Sequence, residues 1–369
     1  MHVFTHGIIS SSGGAVVNEA FQMTIDTTQS GSASDTFILP CLNVGTYNAV
    51  IDWGDGSTSD ITAYNDSDLT HVYSVSGIYT VSITGTLPNI YFNNVGDKLK
   101  VTELSNWGVL PMESFDRSFD GCANMDITAI GTPDFSSIVR MGAGFSRSGI
   151  TNFPFKNADF SSCTVWIQGA SAFGSCASLN NLDFTGMSLS TSVSLNLERL
   201  FINNTSLASV IGFNTINTEK VTSTVDMFRN TVLESIDMSG MDFTSCTSFL
   251  RMFFIISELD DVNVTNMLLN TSSNVNMTQM FQGHGLCDII GLDTWDVSKV
   301  NTFNAFMSGT TITTVEYDKL LIAYNNLTLT ANVPANFGSS KYTGGGAVAT
   351  ARADIITDYL WTITDGGTV

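Results

Sequence analysis

Three carboxylates, those of Asp52, Asp55 and Asp60, lie close together near the start of the chain. Carboxylate oxygens are the ligands that Ca²⁺ prefers, but a calcium site needs six or more oxygen ligands. Aspartates in tight turns commonly accept hydrogen bonds from nearby backbone amides instead. The sequence therefore predicts no metal site and no cofactor, and it leaves Asp52, Asp55 and Asp60 as the candidates for a metal ligand.

Two groups of acidic residues have the residue type that glycoside hydrolysis needs. Such enzymes hold two carboxyl groups about 5–9 Å apart in a cleft. One group, defined by proximity in sequence, consists of Glu258, Asp260 and Asp261, and the other consists of Asp293 and Asp296. Both are explained more simply as polar turns of a repeat. The chain has no G-x-S-x-G, H-E-x-x-H or C-x-x-C motif, so the sequence predicts that the protein is not an enzyme.

The four histidines are far apart in the sequence: His2, His6, His71 and His284. His71 lies in a segment of alternating strand pattern, where packing and hydrogen bonding are the predicted role rather than catalysis. His284 is flanked by a glycine on each side. Because that pattern is typical of an exposed turn, His284 is predicted to be solvated.

The chain has six cysteines, and their positions argue against disulfides. Cys122 and Cys176 each follow a regularly spaced phenylalanine by three residues, and Cys163 and Cys246 each follow a D-F-S/T-S segment. Equivalent sites two or more coils apart would be about 10 Å from each other if coils stack at the spacing of strands, about 4.8 Å. That distance exceeds disulfide reach. The cysteines are predicted to be reduced core residues.

These residues must be positioned by a repeat that fills the middle of the chain. A phenylalanine closes a short apolar run at intervals of 26, 28, 28, 27, 25, 28 and 25 residues. The eight positions are Phe119, Phe145, Phe173, Phe201, Phe228, Phe253, Phe281 and Phe306. A fixed period in this range is typical of stacked repeats, in which each unit buries its apolar face against its neighbours. The phenylalanines are therefore predicted to form one column.

Each repeat unit has the pattern of a short strand, a polar turn and about two turns of helix that end at the phenylalanine. Paired aliphatic residues among Ser and Thr predict the strand. The helix is predicted from spacings such as Val221, Val225 and Phe228, which would place three apolar side chains on one helix face.

One unit resembles a known family. Residues 286–300 (LCDIIGLDTWDVSKV), followed by Phe303 and Phe306, resemble the BspA-type leucine-rich repeat of bacterial surface proteins, whose unit has a W-D-x-S-x-V segment and a run ending in Met-Phe. Met-Phe pairs also end at Phe228, Phe253 and Phe281. The resemblance implies an α/β solenoid of the leucine-rich-repeat type over residues 96–315, in a family known mainly for adhesion.

The region before the repeats has strand periodicity. Residues 1–18 are rich in Gly and Ser and are predicted to be an arm or linker. Alternating segments predict strands at 21–26, 36–39, 47–52 and 78–84. Residues 50–57 (VIDWGDGS) and 70–81 (THVYSVSGIYTV) resemble the polycystic-kidney-disease (PKD) domain. That resemblance implies an immunoglobulin-like β-sandwich over residues 19–95, with Trp53 and Tyr79 in the core and positive φ at Gly54 and Gly56.

Both ends of the predicted solenoid need a cap, since an uncovered end is an exposed apolar edge. Residues 101–104 and Trp107 are predicted to form a first, capping coil. Residues 316–369 are predicted to form the other cap, with helices at 317–324 and 347–358, an exposed Arg352 and a final strand at 360–365. The predicted order is therefore sandwich, solenoid and small helical cap.

Net charge and the distribution of apolar residues argue against two classes of function, nucleic-acid binding and membrane insertion. The net charge is −20, with 14 basic and 34 acidic residues. No basic stripe is evident, so nucleic-acid binding is not expected. No apolar run approaches the roughly 18–20 residues that span a bilayer, so membrane insertion is not expected either. Residues 1–10 lack the basic and apolar regions of a secretory signal.

This combination predicts a non-enzymatic protein of a phage virion surface: a capsid decoration, head fibre or tail-associated adhesin. Its expected partners are other virion proteins of the capsid or tail and a host-surface glycan or protein, and association with copies of itself is left open. A secreted or cell-surface bacterial adhesin is the alternative. A carbohydrate-active enzyme with a PKD accessory module is the third candidate.

Overall fold

The computed structural model describes residues 19–131, 133–164, 171–256 and 258–369, so the predicted arm at residues 1–18 lies outside the described part. Within these ranges the chain is mostly β, with two α-helices and no closed barrel. One buried apolar core extends from the N-terminal strands to the C-terminal helices.

The N-terminal region is rich in strands. They are β1 Phe21–Asp26, β2 Thr36–Ile38, β3 Asn48–Asp52, β4 Thr58–Ile61, β5 Thr70–Val72 and β6 Ile78–Thr86. Buried and half-buried residues alternate along β1, which is the pattern of a strand with one face against a core. The four predicted strands are confirmed to within about two residues. A separate two-stranded sheet of β2 and β5 accompanies the main sheet, and the region is consistent with a β-sandwich.

The core of this region is aromatic. Trp53 is fully buried, as predicted, and so is Tyr73. Tyr79, which was also predicted to be in the core, is only half-buried, and its ring stacks on that of Tyr73 with the centroids 3.9 Å apart. Gly54 and Gly56 have φ of 81° and 92°, as predicted. A Cβ on Gly54 would lie 2.5 Å from the carbonyl oxygen of Thr80, so glycine is required there both by φ and by space.

The strand β7, Val101–Asn106, joins the N-terminal region to the repeats. It pairs antiparallel with β1 and parallel with β8, Asp126–Ile127, the first strand of the repeats. The main sheet therefore has six strands in the order β4-β3-β6-β1-β7-β8. The predicted capping segment at 101–104 thus lies between the N-terminal sheet and the first strand of the repeats.

The repeat region contains many short strands. They are β9 Asp159–Phe160, β10 Asn181–Asp183, β11 Ser188–Leu189, β12 Leu195–Asn196, β13 Ser209–Ile211, β14 Val221–Ser223, β15 Ser235–Asp237, β16 Asp261–Asn263, β17 Val275–Asn276, β18 Gly285–Leu286, β19 Asp288–Ile290, β20 Val300–Thr302 and β21 Thr310–Thr311. All their pairings are parallel, as in β15-β16-β19, where Ile236, Val262 and Ile289 lie side by side. Parallel pairing between residues about one period apart means that successive repeats lie next to each other.

The phenylalanine column is confirmed. All eight side chains are fully buried. Consecutive ring centroids are 5.4, 5.6, 5.9, 5.6, 5.6, 5.5 and 5.4 Å apart from Phe119 to Phe306. Most of these pairs are stacked, and Phe281 and Phe306 meet edge to face. Because each ring contacts the rings of both neighbouring repeats, the column ties the repeats together.

Where the structure describes the residues before a column phenylalanine, the predicted helices are wrong; the helix predicted before Phe173 falls largely on residues 165–170, outside the described part. Val221 lies in the strand β14, and the residues around Phe228 form turns. Asp226 and Asn230, two residues before and after this phenylalanine, have φ of 55° and 58°. A left-handed residue interrupts an α-helix. The Phe228 amide instead donates to the carbonyl of Met252 in the next repeat.

The C-terminal elements agree with their predictions. They are α1 Thr314–Asn325, β22 Pro334–Asn336, α2 Gly346–Tyr359 and β23 Thr362–Thr364. Tyr317 and Tyr324 of α1 are buried, and Phe303 of the last repeat lies 6.3 Å from Tyr324 and 6.0 Å from Phe337. These contacts cover the last repeat. Among the described residues, neither helix has the length and apolar character needed to cross a bilayer.

Arg352 of α2 is not exposed as predicted. Its Nε donates to Asp365 Oδ2 over 2.7 Å, and its side chain is 20% exposed. The guanidinium also lies over the ring of Tyr342, 5.0 Å from the centroid. The apolar part of a long arginine side chain can be covered by neighbours while the charge is paired, and the Ala-rich pattern of α2 gave no sign of this.

Candidate functional site

Two of the three metal-ligand candidates, Asp52 and Asp55, hold a turn together in the structure. Asp52 Oδ1 accepts from the Gly54 amide at 2.9 Å. Asp55 Oδ1 accepts from the Ser57 amide at 3.0 Å and the Ser57 hydroxyl at 2.6 Å. Asp60 lies in β4. Within the described ranges, no group of three or more His, Cys, Asp or Glu residues has an arrangement that could hold a metal ion.

His71 packs and hydrogen-bonds, as predicted. Its imidazole stacks on Trp53 with the centroids 4.8 Å apart, and it meets Tyr73 edge-on at 4.5 Å. Its Nε2 lies 2.9 Å from Asp55 Oδ2. Burial raises the pKa of Asp55, but the hydrogen bonds from Ser57 and His71 outweigh that effect and hold the pKa at about 2. The turn 52–57 is therefore fastened to β5 through a charged carboxylate.

The low pKa of Asp55 predicts an acid-dependent loss of stability. A folded-state pKa below the usual 3.8 stabilises the fold above about pH 4, and the contribution is lost as the pH falls from about 4 to about 2. We expect Asp55→Asn to cost about 1 kcal/mol at pH 7, a figure that allows for solvent screening, and almost nothing at pH 2. Urea unfolding at both pH values measures the difference, and Asp60→Asn is the control. A cost for Asp55→Asn that stays the same at pH 2 would contradict this account.

His284 is buried, so its predicted solvation is wrong. Its residue exposure is 5%, and Nδ1 donates to the carbonyl of Ile256 in the preceding repeat at 2.7 Å. Burial lowers the pKa of His284. The flanking glycines do form turns, with φ of 94° at Gly283 and 71° at Gly285, but these turns direct the imidazole into the stack.

The six cysteines are thiols rather than disulfides, as predicted; five are buried and Cys41 is half-buried. Burial raises the pKa of Cys176 to about 11 and that of Cys246 to about 12. Thiols in such surroundings are protonated at neutral pH and are poor nucleophiles. The cysteines therefore serve as small core residues rather than as a reactive site.

The acidic groups considered for hydrolysis lie at the surface. Asp261 is exposed in β16, next to Asp288 of β19 in the strand register. With Asp237 of β15 they line an open groove of about 300 Å³. Asp296 accepts a hydrogen bond from the Ser298 amide at 3.0 Å, as a turn residue does. Asp237, Asp261 and Asp288 form an exposed acidic surface on the parallel strands, whereas Asp296 lies in a turn.

A basic surface lies on a different part of each repeat, at the turns that flank the phenylalanine column. Of the seven arginines in the chain, five lie within two residues of a column phenylalanine. We call them the arginine row: Arg117, Arg147, Arg199, Arg229 and Arg251. The expectation that the chain has no basic stripe is therefore wrong, although the net charge is −20.

Asp226 forms ion pairs with three of the five arginines in the row. Its carboxylate is 1% exposed, and Arg251 binds both oxygens, with Nε at 2.9 Å from Oδ1 and Nη2 at 3.0 Å from Oδ2. Arg229 lies 3.6 Å and Arg199 lies 3.8 Å from the same carboxylate. Three guanidinium groups around one carboxylate leave an excess of positive charge at this point, and their side chains remain 30–51% exposed.

The other half of the arginine row surrounds Asp120. Arg147 lies 2.7 Å from this fully buried carboxylate. Burial raises the pKa of Asp120, and the charges of Arg147 and Arg117 oppose that shift. Arg117, Arg147 and Arg199 line one groove of about 290 Å³. Because Arg199 contacts Asp226 as well, the two halves form one continuous row.

A third surface feature lies where the N-terminal sheet meets the first repeats. It is a groove of about 360 Å³ whose lining includes Asn89, Asp116 and Arg140. Asn89 is 1% exposed, and none of the described residues donates a hydrogen bond to its Oδ1. Burial raises the pKa of Asp116. The lining of the groove therefore combines the carboxyl group of Asp116 with one guanidinium group, while Asn89 Oδ1 is buried behind it.

The arginine row could have been found in the sequence by aligning the repeats on their phenylalanines. Arg117, Arg199 and Arg251 each lie two residues before a column phenylalanine, and Arg147 lies two residues after one. Overall charge and runs of basic residues do not show this pattern, because each arginine is separated from the next by about one or two periods.

Comparison with known proteins agrees with the repeat assignment. The model of a family described as "Mycoplasma protein of unknown function, DUF285" matches residues 167–284 and, in a second overlapping match, residues 255–320. Together these matches cover less than half of the 369 residues. No curated protein and no solved structure matches the chain. The match fits a BspA-like repeat surface protein.

Proposed function

We propose that this protein is a non-enzymatic attachment protein of a virion surface, acting as a capsid decoration, head fibre or tail-associated adhesin. In this proposal a PKD-like β-sandwich is followed by a leucine-rich-repeat-like solenoid and a helical cap. The solenoid contacts a glycan or protein of the host surface, while other parts of the chain bind capsid or tail proteins.

The observation that carries the proposal is that the repeats combine a buried apolar core with two separate charged surfaces. The phenylalanine column and its aliphatic neighbours are buried, whereas charged residues recur at the surface in two separate sets, the acidic groove on β15, β16 and β19 and the arginine row. A closely packed core gives such a surface little freedom to deform. Many copies on a particle would convert weak single contacts into strong attachment.

A bacterial cell-surface adhesin is the second candidate. It is favoured by the match of residues 167–320 to a family described from Mycoplasma. The repeats would bind the host ligand in the same way on a virion or on a bacterial cell. The two candidates therefore differ only in whether a virion or a cell carries the protein.

The proposal predicts that purified phage particles contain the chain on their outside. Mass spectrometry of gradient-purified particles should find it in a fixed ratio to the major capsid protein, and antibodies against the repeat region should label intact particles. Soluble protein added in excess should reduce adsorption of the particles to host cells. A chain absent from particles but recovered in the bacterial surface fraction would overturn the virion assignment in favour of the second candidate.

A further inference from the structure

We propose that the arginine row binds an acidic glycan, a linear polysaccharide whose carboxylate or sulfate groups pair with successive guanidinium groups. This inference rests on the proposed attachment function and names the chemistry of its ligand. Five of the seven arginines lie in this row, although the net charge of the chain is −20.

Local charge at the row is positive. Four guanidinium groups pair with two buried carboxylates, Arg147 with Asp120 and the other three with Asp226, which leaves two positive charges in excess. The fifth, Arg117, donates to the side chain of Asn93, and its charge acts on the carboxyl groups of both Asp116 and Asp120. The exposed fraction of the side chain is 49% for Arg147 and 51% for Arg199. An anion entering the groove between them therefore meets cations that still contact solvent and need not break a buried ion pair.

The buried carboxylates orient the row. Arg251 uses two of its donors on Asp226, and Arg147 binds Asp120. A guanidinium has five N–H donors, so each of these arginines keeps donors for a ligand. Because the carboxylates lie beneath the row and are themselves fixed in the stack, the guanidinium planes are held in place before a ligand arrives, which lowers the entropic cost of binding.

Spacing favours a linear ligand with regularly placed charges. Column rings are 5.4–5.9 Å apart from repeat to repeat. Arginines two residues before a column phenylalanine recur after three such steps, from Arg117 to Arg199, and after two, from Arg199 to Arg251. The groove between Arg117, Arg147 and Arg199 is also lined by Ser171, which is half-buried, whereas the hydroxyl of Ser146 is buried and donates to the carbonyl of Gly174. Arginine pairs with carboxylate and sulfate through charge-assisted hydrogen bonds, and hydroxyls suit the neutral parts of a sugar.

The same charge distribution disfavours nucleic acid. A net charge of −20 repels a densely charged polymer at long range. Duplex DNA carries one charge about every 1.7 Å along its axis, which is far denser than one guanidinium per repeat can match. A polysaccharide with one charge per sugar or per disaccharide suffers less repulsion from the rest of the chain.

The test measures binding of the full chain to polygalacturonate, κ-carrageenan and neutral dextran by affinity electrophoresis and calorimetry. We expect binding to at least one of the two polyanions, none to dextran, and an affinity that falls as salt rises. The double variant Arg147→Gln/Arg199→Gln should lose at least about tenfold in affinity. Preference for the carboxylated or the sulfated polymer identifies the anionic group.

The matched control is Lys156→Gln/Lys220→Gln, which makes the same change in net charge at exposed lysines outside the row. It should bind as the parent does. Arg147→Lys/Arg199→Lys keeps the charge, and an intermediate loss is expected because lysine lacks the guanidinium fork. Urea unfolding of each variant confirms that it is folded.

Three results would overturn the inference: equal losses in the glutamine variant and the lysine control, tighter binding to single-stranded DNA than to either polysaccharide, or no binding to any polyanion. Its failure is distinguishable from failure of the proposed function. A chain that binds polyanions but is missing from particles would refute the virion assignment alone. A chain that is present on particles and blocks adsorption, but binds no polyanion, would refute the acidic-glycan ligand alone.

Discussion

Replacing Phe253 with alanine is expected to lower the free energy of unfolding by about 3–5 kcal/mol. Its ring is fully buried and lies 5.6 Å from Phe228 and 5.5 Å from Phe281, both nearly parallel to it. Alanine would remove the contacts to both neighbouring repeats at once and leave a cavity that the backbone hydrogen bonds between repeats prevent from closing.

Phe254→Ala provides the matched control, since it makes the same Phe-to-Ala change at the adjacent residue. Phe254 is half-buried and lies outside the column, with the Arg229 guanidinium 5.2 Å from its centroid. Its loss should cost about 1 kcal/mol. Urea unfolding gives the free energies, and hydrogen exchange should show that Phe253→Ala exposes amides in the repeats on both sides. Similar costs for the two variants would mean that the column does not hold the repeats together.

The column itself could be predicted because a buried aromatic residue at a fixed period leaves a direct record in the sequence. The backbone conformation of the residues before each phenylalanine could not be predicted, since apolar residues three and four apart suit a helix as well as a tight turn. The deciding feature is the left-handed backbone at non-glycine residues such as Asp226, Arg251 and Ile255. Such conformations are costly for β-branched residues, and only the hydrogen bonds to neighbouring repeats make them stable here.

Surface features were harder to predict than the core. Asp52 and Asp55 accept hydrogen bonds from turn amides, and His71 packs and hydrogen-bonds, as the local sequence predicts. The burial of His284 could not be predicted in this way, since it depends on the neighbouring repeat that supplies Ile256. The arginine row depends on the same long-range stacking. Side chains about 25–30 residues apart in sequence become neighbours only when the repeat is folded, as Arg147 and Asp120 do.

The N-terminal region shows a further limit of local patterns. Strand alternation located β1, β3 and β6 well, but it gave no indication that β7 would add to the same sheet and pair on its other side with the first repeat. The residues just before β7 carry a buried ion pair that fixes this junction. Lys100 is fully buried and Asp97 is 2% exposed, which is rare for either residue type.

Lys100→Met is expected to destabilise this region by about 3–5 kcal/mol, the usual cost of removing one partner of a buried ion pair. The Lys100 ammonium donates to the carbonyls of Ala33 and Thr36, each at 2.7 Å, and lies 4.0 Å from Asp97. Asp97 in turn accepts from the amide of Ile38 at 2.7 Å. Methionine fills similar space but leaves the carboxylate and the carbonyls without their cation. Urea unfolding, with hydrogen exchange of peptides from residues 21–39, measures the effect.

Lys98→Met, two residues away, is the control. Lys98 is half-buried and donates to the carbonyl of Asn94 at 2.8 Å, so its replacement should cost less than about 1 kcal/mol. The double variant Asp97→Asn/Lys100→Met separates charge from packing. If the cost of Lys100→Met comes from the uncompensated carboxylate, neutralising Asp97 should recover part of it. A double variant that is less stable than Lys100→Met would show instead that the hydrogen bonds of Asp97, rather than its charge, hold the loop between β1 and β2 against the junction.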